Sequence, residues 1–315
     1  MHIATLTLFF FTFTKLSGLK IASNTATIEY TPEVIAGKDF FTSGSITITN
    51  GGIPNLFSDP SIDLASNAET QALRNFASHK NLRVIYTVCE VSYRIVANKK
   101  AGAGIASLRD LKGKRIGTMG GTSAAYFVQR LLGTVGVKEG EYTVVGGSQC
   151  NSAPCGAGTF PYILAHGTVD AVGMWEPTVE LAAQALGGSN TIIFQDRSVY
   201  REVFNLHTTA EKLKDATTRK SIVAYVRALN QAEEVFRDTP DKVFSRVAST
   251  LNMNVTFLKA VWPIHSFNGT LAADLLDVMV EEDAWVAKVD RRSAISRADL
   301  ATMIDVSVLK EALQT

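Results

Sequence analysis

Residues 114–133 read KRIGTMGGTSAAYFVQRLLG. The short run Arg115-Ile116-Gly117 gives way to Met119-Gly120-Gly121-Thr122-Ser123. A helical apolar pattern then begins at once with Ala124, Ala125, Phe127, Val128, Leu131 and Leu132. A strand, a glycine turn and a hydroxyl-bearing helix start gather backbone N–H groups and the positive helix end at one spot, which favours an anion. Gly120 and Gly121 permit close backbone approach and positive φ. Thr122 or Ser123 supplies a cap and hydroxyl donors. The stretch lacks the lysine that a nucleotide P-loop sets beside its Ser/Thr, and it lacks the glycine spacing of a dinucleotide turn. Gly120, Gly121, Thr122, Ser123 and Ala124 therefore read as an anion cradle, with an ordinary strand-to-helix turn as the plainer alternative.

Around this stretch, strands alternate with helices on both sides, which predicts parallel sheets. Upstream lie Leu19-Lys-Ile-Ala, TIEYTPEVIAG (a helix), SITITN, a strand from Ser61 to Asn67, a helix from Thr70 to Ala77 and a strong strand from Leu82 to Val88. From Ser92 the pattern restarts. YRIVAN is a strand, and a one-turn helix runs from its cap Ser107, with Asp110 at the third position, to Gly113. YTVVG, a helix at Phe160–His166, a buried strand ending in Trp175-Glu176-Pro177, a helix to Leu186 and TIIFQD follow. From Thr209 strand signals nearly vanish. TRKSIVAYVRALNQAEEVFRD, DKVFSRVASTLN, LAADLLDVMVEEDAWVAKV and DLATMIDVSVLKEAL read as helices that must pack on an existing sheet. The pattern gives two α/β lobes in series and a helical tail, with the cleft between lobes as the default ligand site.

The 315 residues are 46% hydrophobic with a formal net charge of +1, ample for a core and without the basic stripe that nucleic-acid binding requires. Ile3 to Phe13 has the length of a signal-peptide apolar segment, with Ser17 and Gly18 as small residues near a cleavage point; residues 1–18 are expected to be a signal peptide and the protein secreted, cell-surface or periplasmic. The run is too short to span a bilayer, and no later run approaches that length, so no stable membrane insertion is expected. Of three cysteines, Cys150 and Cys155 frame a turn-prone loop and could pair in an oxidising compartment, while Cys89 lies in a strand. No histidine with ligand spacing flanks them, so no metal is expected. Asn254-Val-Thr256 and Asn268-Gly-Thr270 are N-glycosylation sequons.

The string from Ser92 to Gly133, with AHGTVDAVGMWEPTVELA downstream, resembles the second lobe of type II periplasmic-type solute-binding proteins. The resemblance is to the branch that holds aliphatic-sulfonate, taurine and nitrate binding proteins of ABC importers, together with fungal thiamine-pyrimidine synthases. Leu108–Gly117 matches the element before the anion loop, and Leu164–Pro177 matches the opposite wall. The resemblance implies two doubly wound α/β lobes joined by a two-strand hinge near Tyr93 and Val203. Lobe 1 would comprise 19–91 plus 200–315, with the C-terminal helices packed on it, and lobe 2 would comprise 92–199. It implies a non-catalytic protein, without cofactor, that closes on a small, sulfonate-like or thiamine-precursor-like ligand of anionic character. The expected state is a monomer, delivering to an ABC permease in a bacterium and serving as a scavenger, a sensor or a surface antigen in a fungus.

Four groups should then face the cleft: Ser23 to Tyr30 (with Thr25, Glu29 and Tyr30), Asn67 with Glu69, the 120–124 cradle, and Trp175 with Glu176. Trp175 and Tyr30 would sandwich a flat body. Glu29, Glu69 and Glu176 could hold an amino group and would oppose a bare dianion; as an alternative each is a surface or hinge carboxylate. The second functional reading is an enzyme of thiamine-pyrimidine biosynthesis. The synthases carry a CCCFG motif and consume one of their own histidines. Here the matching loop reads Gln149-Cys-Asn-Ser-Ala-Pro-Cys-Gly, without the three-cysteine run. His79 reads as exposed surface, His166 as a helix C-terminus, and His207 and His265 lie near the second crossing and in the tail.

Overall fold

A computed structural model describes residues 18–102 and 104–314. The apolar 3–13 run, and the signal peptide expected there, lie outside the described residues. Among the described residues eleven strands form two sheets: β1 (Leu19–Ser23), β2 (Ile46–Asn50), β3 (Leu64–Ala68), β4 (Leu82–Val91), β5 (Arg94–Asn98), β6 (Arg115–Gly117), β7 (Thr143–Val145), β8 (Ala171–Met174), β9 (Thr191–Phe194), β10 (Glu202–Thr209) and β11 (His265–Ser266). The first sheet runs β11-β4-β10-β3-β1-β2 and the second β7-β6-β8-β5-β9. The chain passes from the first sheet to the second through Ser92 and Tyr93, and returns between β9 and β10. These are the two α/β lobes that the sequence pattern announces.

The sheets are mixed, which corrects the expectation of parallel sheets. β1 pairs in parallel with β2 and β3, and β6 with β7 and β8. The strands next to each crossing run the other way: β10 is antiparallel to β3 and β4, and β5 to β8 and β9. A strand that carries the chain back from the other lobe enters the sheet from the opposite end. Helix–strand alternation does not report that reversal. β10 occupies the middle of its sheet and is buried along its whole length. Its polar groups are accounted for locally: Asn205 accepts from the Thr87 hydroxyl at 2.8 Å and donates to Val203 O at 2.9 Å.

The tail covers the first lobe, as expected. The helix Ala216–Asp238 buries Ile222, Tyr225, Val226, Leu229 and Phe236, one stripe at helical spacing, against the helix Thr31–Ile35 and the wider π-helical turn Ala36–Phe40 that continues it. The helix Leu275–Val289 packs on the helix Glu69–Ser78. The closing segment is two helices, Arg297–Met303 and Ser307–Leu313, and not one. Between them Ile304 turns extended to bridge Val84, and Asp305 N donates to Val84 O at 2.9 Å, so a sheet-edge contact overrides local helix propensity.

Candidate functional site

The helix Ser123–Gly133 begins at the seam between the lobes. Gly121 has φ +71°, a conformation open to glycine, and a Cβ there would stand 3.2 Å from Arg74 Nη2. Thr122 takes the N-cap position in extended geometry, yet its hydroxyl does not cap the helix: it turns back and donates to Met119 O at 2.7 Å. Ser123 Oγ shares a 3.2 Å hydrogen bond with Tyr93 OH. The first amides of this helix are thus left without a side-chain cap at the edge of a cavity.

That cavity, about 70 Å³, is lined from the second lobe by Thr122, Ser123 and Trp175 and from the first by Glu29 and Asn67, among others. Five of the residues proposed from sequence therefore meet at one place. The remaining ones do not line it. Gly120 and Gly121 shape the turn, and Ala124 is buried in the helix core. Thr25 and Tyr30 line a separate cavity with Glu33, Lys38 and Ile48, so Tyr30 does not stand opposite Trp175. Thr25 is bound there to Asn50 Oδ1 through its amide at 3.2 Å and its hydroxyl at 3.1 Å. Glu69 lies behind the wall, accepting from Tyr200 OH at 2.6 Å and Val203 N at 2.9 Å. Glu176 is tied down by Arg94, whose Nη2 lies 2.5 Å and Nε 2.9 Å from Glu176 Oε1. Arg94 Nη2 also reaches Glu180 Oε2 at 3.0 Å, and the cluster fixes the turn that presents Trp175.

Asn24, Thr27, Thr70, Gln71, Glu202 and Phe204 also line the cavity and were not singled out from sequence. Asn24 and Thr27 lie in the Ser23 to Tyr30 loop after β1, which the sequence pattern places at the cleft. Glu202 had a legible signal of another kind: it begins the second crossing strand, which must pass under the cleft.

The floor of the site is acidic. Glu29, Glu69, Glu202 and Glu282 are all buried. Burial raises the Glu29 carboxyl to about 7, with the Glu176 charge adding to it. Glu202 stands well above the usual carboxylate range through burial and then through the charges of Glu29 and Glu69. Glu69 is raised by burial, against the pull of its Tyr200 and Val203 hydrogen bonds. Glu282 is raised by burial and by Glu69. One oxygen of Glu29, one of Glu202, both of Glu282 and the Thr70 hydroxyl have no hydrogen-bond partner among the described residues. Among the described residues no group of His, Cys, Asp and Glu is placed to hold a metal ion.

The histidines lie elsewhere. His207 and His265 are buried, each lowered to about 4 by desolvation, and each donates through Nδ1 to a backbone carbonyl, Ala65 O at 3.2 Å and Val261 O at 2.9 Å. His166 is exposed at its helix end. His79 is half-buried and stacked on Phe57 at 3.7 Å, and so is not the free surface residue expected. Cys150 and Cys155 form a disulfide, and Thr178 Oγ1 accepts from Cys150 N at 3.1 Å and donates to Cys150 O at 3.0 Å, tying that loop to the helix after Trp175. Cys89 is free and buried. Asn254 is exposed and caps its own helix by accepting from Thr256 N at 2.7 Å, whereas Asn268 Nδ2 donates to Glu90 Oε1 at 2.8 Å.

Two mixed α/β lobes, crossed twice by the chain and holding a polar cavity at their seam, define the periplasmic-binding-protein fold. The periplasmic aliphatic sulphonate binding protein SsuA of Escherichia coli superposes with a TM-score of 0.70 at 15% identity, over 91% of this chain and 92% of that one. The alkanesulfonate-binding protein SsuA of Xanthomonas axonopodis pv. citri, solved bound to MOPS, superposes at 0.68 and 17% identity, over 92% and 98%. The Candida albicans CA3427 product, described as having the generic periplasmic binding protein fold, superposes at 0.58 and 16% identity, over 92% and 96%. No curated protein sequence matches the chain. The NMT1/THI5-like family matches residues 49–243, more than half of the sequence, and the chain belongs to that family.

Proposed function

We propose that this protein is a solute-binding clamp that closes its two lobes on a compact, flat, N–H-bearing organic molecule and releases it unchanged. The observation that carries this reading is the meeting, across one cavity, of an uncapped helix N-terminus with Thr122 and Ser123 on one side and the buried carboxyls of Glu29 and Glu202 on the other, beside the Trp175 ring. The helix end takes an acceptor or anionic group. Trp175 takes the flat body, and Glu29 and Glu202 take N–H donors. A bare sulfonate satisfies the first contact and is opposed by Glu29 wherever that carboxyl is ionised. The arrangement therefore favours a thiamine-precursor-like aminopyrimidine over the sulfonates that the SsuA proteins are named for.

The cavity is far smaller than the roughly 300–1,000 Å³ of ordinary ligand sites, so the ligand enters an open form, with Ser92–Tyr93 and the β9–β10 segment as the hinge between lobe 1 (19–91 and 200–315) and lobe 2 (92–199). Among the described residues no His, Cys or Lys lines the cavity, which speaks against a synthase that consumes a histidine. An extracytoplasmic location fits the family's fold, the Cys150–Cys155 disulfide and, among the described residues, the absence of a helix long and apolar enough to cross a membrane. The role is that of a monomeric receptor, feeding an ABC permease in a bacterium and scavenging or sensing in a fungus, with Asn254 the better placed of the two sequons for glycosylation. Isothermal titration with 4-amino-5-hydroxymethyl-2-methylpyrimidine and with MOPS tests it. The pyrimidine should bind saturably and lose at least tenfold in affinity in Trp175→Ala; MOPS binding alone would overturn the ligand class.

A further inference from the structure

The acidic floor is not only a wall. Glu29 and Glu202 border the cavity, Glu69 and Glu282 stand behind them, and Tyr93 and Tyr200 lie alongside. The charged groups that act on this row from outside it are Glu176, on Glu29, and Asp283, on Glu282, each with an arginine of its own, Arg94 and Arg292. Both arginines are already committed, Arg94 to Glu176 and Glu180, Arg292 to Asp283. Among the described residues no ion pair brings a cation to Glu29, Glu69, Glu202 or Glu282. Four buried carboxyls without a counter-cation cannot all be ionised, because like charges in a desolvated row raise one another. The row must therefore hold protons, and Glu29 and Glu202 are its members at the cavity. A second observation points outward to a ligand. Thr70, 1% exposed, lines the cavity with its hydroxyl unpartnered, as do the Oε2 atoms of Glu29 and Glu202.

Resting on the site proposed above, we infer that the ligand is taken up as a cation, its N–H-bearing positive end seated between Glu29 and Glu202, and that seating it drives one proton from this carboxyl row to solvent. The balance is simple: a neutral carboxyl becomes a carboxylate, its proton passes to the buffer, and the ligand's positive charge replaces the proton's. No bond other than O–H breaks. A row of this kind discriminates by charge at fixed shape, since a neutral isostere would leave the proton in place and gain only a neutral hydrogen bond. The direction with pH follows. Below the row's titration the site is filled by its own protons and binds a cation poorly; above it, the carboxylate is already present. With Glu29 near 7, affinity for a permanent cation should rise about tenfold between about pH 6 and pH 8.

The test is isothermal titration of the full chain with 4-aminopyridine, a cation throughout this range, and with aniline, its neutral isostere, in two buffers of different ionisation enthalpy. The expected result is release of about one proton per 4-aminopyridinium bound at pH 6, falling to about a tenth at pH 8, with tenfold tighter binding at the higher pH and binding of aniline at least tenfold weaker. Glu29→Gln and Glu202→Gln should each remove the proton release and flatten the pH profile while the circular dichroism spectrum is kept. Buffer-independent heats at pH 6 with 4-aminopyridinium bound would overturn the proton displacement and leave the site standing. Binding of the aminopyrimidine without binding of 4-aminopyridinium would overturn the cation. Binding of none of these overturns both this inference and the ligand class on which it rests.

Discussion

Replacing Arg94 by methionine should destabilise the protein in a way that fades as the pH falls. The Arg94 guanidinium is 11% exposed and its partner Glu176 2%, at 2.5 Å, with Glu180 at 3.0 Å. Removing one partner of such a pair leaves a buried, uncompensated charge, a loss of about 3–5 kcal/mol. Protonation of Glu176 sets a ceiling on that loss. Burial already pushes its carboxyl above the ordinary value of 4.5, and Arg94 is the chief group pulling it back. Holding Glu176 neutral at pH 7 costs at most about 3.4 kcal/mol, at about 1.36 kcal/mol per unit above the ordinary value, and at pH 5 only about 0.7 kcal/mol. For an acid raised in the folded state, the unfolded chain binds fewer protons across the window above the ordinary value, so stability is lost as pH rises through it. Arg94→Met should therefore lower stability by about 3 kcal/mol at pH 7, or about 6 °C in Tm, and by about 1 kcal/mol at pH 5. Arg94→Met with Glu176→Gln should recover about 2 kcal/mol of the pH 7 loss. Urea unfolding followed by tryptophan fluorescence reads all three. A single-variant loss below about 1 kcal/mol at pH 7, or one that does not shrink at pH 5, would show that the pair does not hold the Trp175 turn as described.

Thr122→Ala with Ser123→Ala should weaken aminopyrimidine binding about tenfold and leave the melting temperature within about 3 °C, because neither hydroxyl caps the helix; unchanged affinity would return the turn to an ordinary helix start. Glu282→Gln should stabilise the protein by about 1–2 kcal/mol at pH 8 and by less at pH 5, because a carboxyl raised well above its ordinary value is penalised more as pH rises; a gain independent of pH would contradict the burial of a titrating acid there. Trp285→Ala should favour the open form, since Trp285 meets Tyr126 across the seam at 5.3 Å, where Arg130 pairs with Glu281 and Arg74 donates to Gly121 O. Small-angle scattering of the unliganded variant should then give a larger radius of gyration than the parent, and equal radii would remove that contact from the closure.

The two-lobed architecture was legible because its signals are local. Hydrophobic periodicity switches between strand and helix along residues 19–194, and glycine with hydroxyls marks the start of the Ser123–Gly133 helix. What was not legible depends on strand direction and distance. The mixed sheets follow from β5 and β10 entering from the neighbouring lobe, which no local pattern encodes. Tyr30 sits on the first turn of the Thr31–Ile35 helix as expected, yet that turn aims it toward Lys38 and Ile48 and away from Trp175. Glu69 and Glu176 were picked by their position after strands, but nearby groups, Tyr200 for one and Arg94 for the other, draw each into the wall. Glu202 completes the acidic floor from more than 170 residues beyond Glu29, and only the folded chain brings the two together.

The central claim is that ligand is held between the helix start at Thr122–Ser123, the Trp175 ring and the Glu29–Glu202 floor. Native mass spectrometry of the full chain, incubated with 4-amino-5-hydroxymethyl-2-methylpyrimidine, tests it most directly when the parent is compared with Trp175→Ala and with Phe257→Ala, which alters a different interlobe cavity. One pyrimidine retained by the parent and by Phe257→Ala, and lost from Trp175→Ala, is the predicted result. Retention by Trp175→Ala with loss from Phe257→Ala would contradict the account.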